Sequence, residues 1–99
     1  MTGTPNQLEM AELIRTRVDA EFDRVAAAFR SVSEKQSLEK RAGTEAILVI
    51  LEEFRATVMS RQEAGYFIKN WNEITGQVRQ MIFKDARYKE IKARWAAAP

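Results

Sequence analysis

The chain has 99 residues, of which 45% are hydrophobic and 30% charged, with 4 glycines, 2 prolines and a formal net charge of +2. This balance is typical of one small globular domain over residues 1–99, and the scarcity of glycine and proline argues against a fold of many short strands. Because cysteine and histidine are both absent, disulfides, thiolate nucleophiles, histidine bases and the commonest metal ligand are excluded.

The first predicted helix covers residues 5–32. Thr4 can cap it, Pro5 suits its first position, and Gln7 can close a capping box. Charged residues separate the apolar ones and give the helix a solvated face. The apolar residues recur every three or four positions, as on one face of a helix: Leu8, Ala11, Ile14, Val18, Phe22, Val25, Phe29 and Val32.

A weaker pattern follows the first helix. Residues 31–37 contain three serines, which favour caps and turns over helix interiors. We therefore expect a bend or loop there, followed by a short helical turn near residues 35–41. Gly43 is interpreted as a stop, with Thr44 capping the next helix.

The second predicted helix covers residues 45–59. A buried strand over residues 46–51 is the alternative, because β-branched side chains dominate that run. Phe54 and Val58 continue the apolar series at helical spacing, which favours the helix. Since this helix is apolar around most of its girth, we expect it to lie at the centre of the core.

The third predicted helix covers residues 61–97 and opens at a capping box from Ser60 to Glu63. Gly76 interrupts it, and we expect a bend or a close helix contact there. Together the three segments predict an all-α, elongated bundle of three main helices. The seam of the third has a heptad-like register: Phe67, Trp71, Ile74, Val78, Met81, Asp85, Tyr88, Lys92 and Trp95.

The length of the third helix bears on partners. Unbroken, it would measure about 54 Å at about 1.5 Å per residue, whereas a compact chain of this size is only about 33 Å across. Either the helix bends at Gly76 and folds back, or a second chain covers the overhanging apolar seam. We expect the second outcome, and hence a homodimer or a complex with another helical protein through coiled-coil-like contacts.

The sequence offers few residues that could carry out catalysis. Without histidine no serine triad can form, and the isolated glycines make no phosphate-binding loop. Asp19 with Asp23, and Glu52 with Glu53, are the carboxylate pairs, but an ion pair of Asp19 with Arg15 is a plainer account than a metal. We therefore predict a protein that is not an enzyme and has no catalytic residues, cofactor or metal.

The segment from Lys84 to Trp95 is the sharpest local feature. On a helix, Tyr88, Ile91 and Trp95 share one stripe, with arginines beside it. A basic amphipathic helix of this kind can bind a protein groove, nucleic acid or a membrane surface. The plainer interpretation is that the aromatic residues pack on the core. The predicted partner-binding residues are Lys84, Arg87, Tyr88, Ile91, Arg94 and Trp95.

These features predict a non-catalytic protein–protein interaction module: an adaptor, chaperone-like factor, inhibitor or small assembly subunit that acts through amphipathic helix faces and self-associates. The longest apolar run has six residues, Ala46 to Leu51, so no membrane span is expected, and without a leader-like segment we expect a cytoplasmic protein. The alternative is a nucleic-acid-associated regulator that contacts phosphates through Lys84, Arg87, Lys89, Lys92 and Arg94.

Overall fold

The computed structural model describes residues 2–97 and is all-α over that range, which confirms the predicted fold class. An isolated β-bridge between Thr2 and Glu63 holds the N-terminal segment beside the chain that follows the second helix. The helices are α1 (Pro5–Ser33), α2 (Leu38–Met59), α3 (Ala64–Asn70), α4 (Ile74–Lys84) and α5 (Ala86–Ala97).

Helix α1 begins where the sequence predicts. The Thr4 side chain accepts a hydrogen bond from the Gln7 backbone N–H, and the Thr4 N–H donates to Oε1 of Gln7 at 3.0 Å. Both halves of the capping box are therefore present, and Pro5 takes the first helical position. The signal was readable from sequence because every contact in it lies within four residues.

Helix α2 begins earlier than predicted. Its N-cap is Ser37, whose side chain accepts a hydrogen bond from the Lys40 N–H, and the helix continues through Gly43 to Met59. The predicted short turn near residues 35–41 is the start of this helix, and the interpretation of Gly43 as a stop is wrong. Gly43 instead meets the rings of Trp95 and the side chain of Ile91 from α5, a non-local contact that leaves no room for a side chain.

The predicted single helix over residues 61–97 is wrong, because the chain breaks twice and folds back. The first break follows α3 at Trp71, whose backbone leaves the helical region while its indole is buried beside Phe22, with 6.3 Å between ring centroids. The second break is Asp85. No capping box forms at Ser60, since Glu63 is the N-cap of α3 and makes no side-chain cap bond.

The bend expected at Gly76 does not occur there. Gly76 lies in the first turn of α4, and a Cβ at this position would meet nothing within 4 Å. The breaks fall at Trp71, whose indole is buried, and at Asp85, whose carboxylate accepts a hydrogen bond from the Arg87 N–H at the start of α5.

Helix α1, and not α2, lies at the centre of the bundle. It packs against α2, α3 and α4, whereas α5 packs only against α2 and α4. Helix α2 contacts α1, α4 and α5, but Val49 on its outer face is 59% exposed, so the expectation that α2 lies at the centre of the core is wrong. The buried apolar core is Ala11, Val18, Phe22, Val25, Ala26, Ile47, Ile50, Leu51, Val58, Ala64, Phe67, Trp71, Val78 and Ile82.

The molecule is elongated, with extents of 56 × 23 × 19 Å. Most of that length comes from α1, whose 29 residues span about 44 Å at about 1.5 Å per residue. The apolar seam of the C-terminal third folds back onto α1 and α2 and does not overhang. The expectation that a second chain covers an overhanging seam is therefore wrong, and a homodimer stays a prediction without that support.

The contact of Gly43 with Trp95 makes a substitution test. A Cβ on Gly43 would lie 2.7 Å from Cζ2 of Trp95 and 3.0 Å from Cγ2 of Ile91. We predict that Gly43→Ala displaces α5: helix propensity adds about 1 kcal/mol of stability, but overpacking costs about 1–3 kcal/mol. Amide hydrogen exchange should quicken over residues 86–97 and stay unchanged in α1.

Gly76→Ala is the matched control, because it adds a methyl group to a helix in open space. It should raise the free energy of unfolding by up to about 1 kcal/mol. Equal stabilisation by both substitutions would show that Trp95 does not lie against Gly43.

Candidate interaction surface

Helix α5 is separate from α4 because Asp85 ends α4 and caps α5. The Asp85 carboxylate accepts a hydrogen bond from the Arg87 N–H at 2.8 Å, and the Asp85 carbonyl accepts one from the Lys89 N–H at 3.1 Å. These are the contacts of an N-cap. A hydrogen bond from the Arg87 guanidinium lowers the pKa of Asp85 below its ordinary value, so the cap is charged at neutral pH.

The underside of α5 lies against the molecule. Tyr88, Ile91 and Trp95 are half-buried and pack on the core, and the Tyr88 ring lies 5.3 Å from that of Phe83. None of the 12 residues of α5 is fully buried. The helix is therefore held by one stripe of side chains and is the most lightly attached helix of the bundle.

A cavity of about 410 Å³ lies beside the contact of α5 with the start of α2, and we term it the α2–α5 crevice. Its walls are part apolar and part charged. It is lined by Ser37, Glu39, Lys40, Ala42, Gly43, Ala46, Ile91, Arg94 and Trp95.

A second, more apolar cavity of about 250 Å³ lies where α1, α4 and α5 meet, and we term it the α1–α4 groove. Two of its side chains are strongly exposed, Val32 at 53% and Phe83 at 40%. It is lined by Val25, Ala28, Phe29, Val32, Arg79, Phe83 and Tyr88.

The structure divides the six predicted partner-binding residues between these two cavities. Tyr88 lines the α1–α4 groove, whereas Ile91, Arg94 and Trp95 line the α2–α5 crevice. Lys84 is exposed at the end of α4 and makes no ion pair within the described residues.

The two predicted arginines are engaged within the chain. Arg87 contacts Asp85 at 3.1 Å and Glu53 of α2 at 2.6 Å, which also fastens the start of α5 to α2. Arg94 contacts Glu90 at 2.6 Å. Both arginine side chains are at least half-exposed, and ion pairs of exposed side chains contribute little to stability, so a partner could displace them at low cost.

Fewer cations are available for phosphate contacts than the sequence predicts. Among the five basic residues assigned to that role, Lys84, Lys89 and Lys92 make no ion pair within residues 2–97. Lys92 places its Nζ 5.3 Å from the centroid of the Trp95 ring, a cation–π contact at the molecular surface.

The paired carboxylates of α1 are occupied by an arginine of α2. Arg55 contacts Asp19 at 2.8 Å, Asp23 at 2.7 Å and Glu52 at 3.5 Å, and this cluster ties α2 to α1. The partner of Asp19 is therefore Arg55 and not Arg15, which donates to the Met59 carbonyl at 3.3 Å. Within the described residues no group of three potential ligands is placed to hold a metal ion.

The sequence does not single out three features of this region. Arg79 and Phe83 lie off the heptad-like seam, and Val32 is assigned to the buried face of α1. They come together because the break at Trp71 turns α4 back along α1, which no local pattern predicts. The only local signal is that Phe83 directly follows the core residue Ile82.

Charge is distributed unevenly along the molecule. We term residues 30–46 and 79–97 the basic end: they carry ten basic and five acidic side chains, whereas the remainder carries six and nine. Glu53 lies at the margin of this region and offsets Arg87. The basic end also carries three of the six large apolar residues that are exposed in the described chain: Val32, Leu38 and Phe83.

Comparison with known proteins assigns no function: no family model, curated protein or solved structure matches this chain. Among residues 2–97 no helix is both long enough and apolar enough to cross a membrane.

The Asp85 cap gives a prediction. We expect Asp85→Ala to lower the stability of the docked α5 by about 1 kcal/mol, seen as faster hydrogen exchange over residues 86–97. Asp85→Asn should have a smaller effect, because asparagine still caps but cannot pair with Arg87. Equal exchange in all three proteins would contradict this role for Asp85.

The same cap predicts a pH dependence. Because the pKa of Asp85 is lowered from its ordinary value of 3.8, its contribution is present above that value and is lost as pH falls through the lowered pKa. Hydrogen exchange in α5 should therefore quicken in acid relative to that in α1. In Asp85→Asn that specific acid effect should be absent.

Proposed function

We propose that this protein is a non-catalytic protein-interaction module that binds its partner through the basic end. The observation that carries the proposal is that Val32 and Phe83, which are 53% and 40% exposed, line the same groove, in the region that has the excess of positive charge and also carries Leu38, which is 81% exposed. Exposed apolar residues scattered singly need no explanation, but a cluster beside a groove is typical of an interaction site.

The proposed surface differs from the one predicted from sequence. The underside of α5 is half-buried against α2 and α4, so Tyr88, Ile91 and Trp95 present their edges to a partner and not a full face. Lys84 and Arg94 remain exposed on the rim. The partner therefore contacts the sides of α5 and the helices that hold it.

An adaptor, inhibitor, chaperone-like factor or assembly subunit in the cytoplasm would each use such a surface. A second copy of the chain is the other occupant that this proposal admits.

Nucleic-acid binding is the second candidate. Lys84, Lys89 and Lys92 support it, since none of them makes an ion pair within the described residues. Mobility-shift measurements with duplex and single-stranded DNA and RNA would test it, because phosphate contacts make affinity fall steeply with salt. The candidate is removed if no shift occurs at low salt.

The test of the interaction module compares two double variants. Val32→Ser with Phe83→Ser alters the basic end, whereas Met10→Ser with Leu13→Ser alters residues of similar exposure, 53% and 55%, on α1 away from that end. Each protein is immobilised and exposed to lysate of the source cells. We expect the first variant to reduce retention of a specific protein at least tenfold and the second to leave it within twofold.

Light scattering on a size-exclusion column gives the mass of each variant and reports self-association. Retention that survives the first variant, or that both variants reduce equally, would contradict binding through the basic end.

A further inference from the structure

The α1–α4 groove is an open site whose base belongs to the core. Val25 at its base is 1% exposed and belongs to the core, and the rings of Phe83 and Tyr88 lie 5.3 Å apart on one side. Phe29 packs partly against the same core. The base of the groove is therefore part of the core, and the groove is open to an apolar group.

The size of the groove disfavours a small organic ligand. At about 250 Å³ it falls below the range of about 300–1,000 Å³ typical of small-molecule sites. It is also open at Val32 and Phe83, whose exposure leaves an apolar rim on each side. A shallow apolar trough between packed helices is the kind of site that receives the apolar face of an amphipathic helix.

The charge around the groove selects the polar face of that helix. Arg79 is the one charged residue among the groove-lining residues, and it makes no ion pair within the described chain. The basic end around it carries a net charge of +5. Complementary charge favours an acidic segment, and like charge disfavours a basic one.

We infer that the α1–α4 groove binds an acidic amphipathic helix of a partner protein. This inference rests on the proposed function and names the class of partner. The apolar face of the helix covers Val32 and Phe83, and a carboxylate of its polar face pairs with Arg79.

Two synthetic peptides test the inference. One is a helix-forming peptide with leucine or phenylalanine at helical spacing and glutamate on its polar face. The other has the same apolar positions with lysine in place of glutamate. Each is titrated into isotope-labelled protein and followed by amide chemical shifts. We expect the acidic peptide to shift residues of the groove and the lysine peptide to bind at least tenfold more weakly.

Variants locate the site. Phe83→Ser and Arg79→Glu should each weaken binding of the acidic peptide at least tenfold. The matched controls are Val49→Ser, which changes an exposed apolar residue on α2, and Arg17→Glu, which reverses an exposed charge on α1 that makes no ion pair within residues 2–97. Both controls should stay within twofold, and circular dichroism verifies that all four variants fold.

The inference is overturned if the acidic peptide shifts no groove residue, if the lysine peptide binds equally well, or if the controls weaken binding as much. A dimer that Phe83→Ser abolishes would place a second copy in the groove and would also overturn it. Capture of a native partner that depends on Phe83, without binding of the acidic peptide, would overturn this inference and leave the proposed function standing. If the acidic peptide does not bind and no native partner is captured through Phe83, both this inference and the proposed function are wrong.

Discussion

Burial of the apolar face of α1 is the constraint on which the rest of the structure depends. One helix cannot cover a face of 29 residues, so α2, α3 and α4 all pack against it. That arrangement requires the chain to reverse after α3, and the break at Trp71 provides the reversal. The buried indole beside Phe22 offsets the loss of helical hydrogen bonds at the break, because a large aromatic side chain contributes several kilocalories when buried.

The second break, at Asp85, determines what the surface offers. Since α4 ends beside the C-terminal part of α1, the groove between them has Val32 on one side and Phe83 on the other. Helix α5 then turns onto α2, where the absence of a side chain at Gly43 lets Trp95 approach. Val32 and Phe83 are thereby brought to the same end of an elongated molecule as the basic excess of the C-terminal segment.

The features of the fold that depend on local contacts could be predicted from the sequence. The Thr4 capping box and the periodic face of α1 are legible because each contact lies within about one turn. Features that depend on a distant residue could not be predicted. Gly43 resembles a helix stop unless its contact with Trp95 is known, and the heptad-like seam continues through Asp85 without any sign of the break there. The same holds for the candidate site. The stripe of Tyr88, Ile91 and Trp95 is predictable from helical spacing, whereas the groove that Phe83 and Val32 both line is formed by separate helices and is not.

The most direct test of this account is a set of nuclear Overhauser contacts in the protein at concentrations where its mass is that of a monomer. The folded-back arrangement predicts contacts between the Trp71 indole and the Phe22 ring, and between the Trp95 indole and Gly43, with the helical pattern interrupted at Asp85. An unbroken helical pattern from α4 into α5, with neither long-range contact, would contradict the folded-back arrangement and remove the groove on which the proposed function rests.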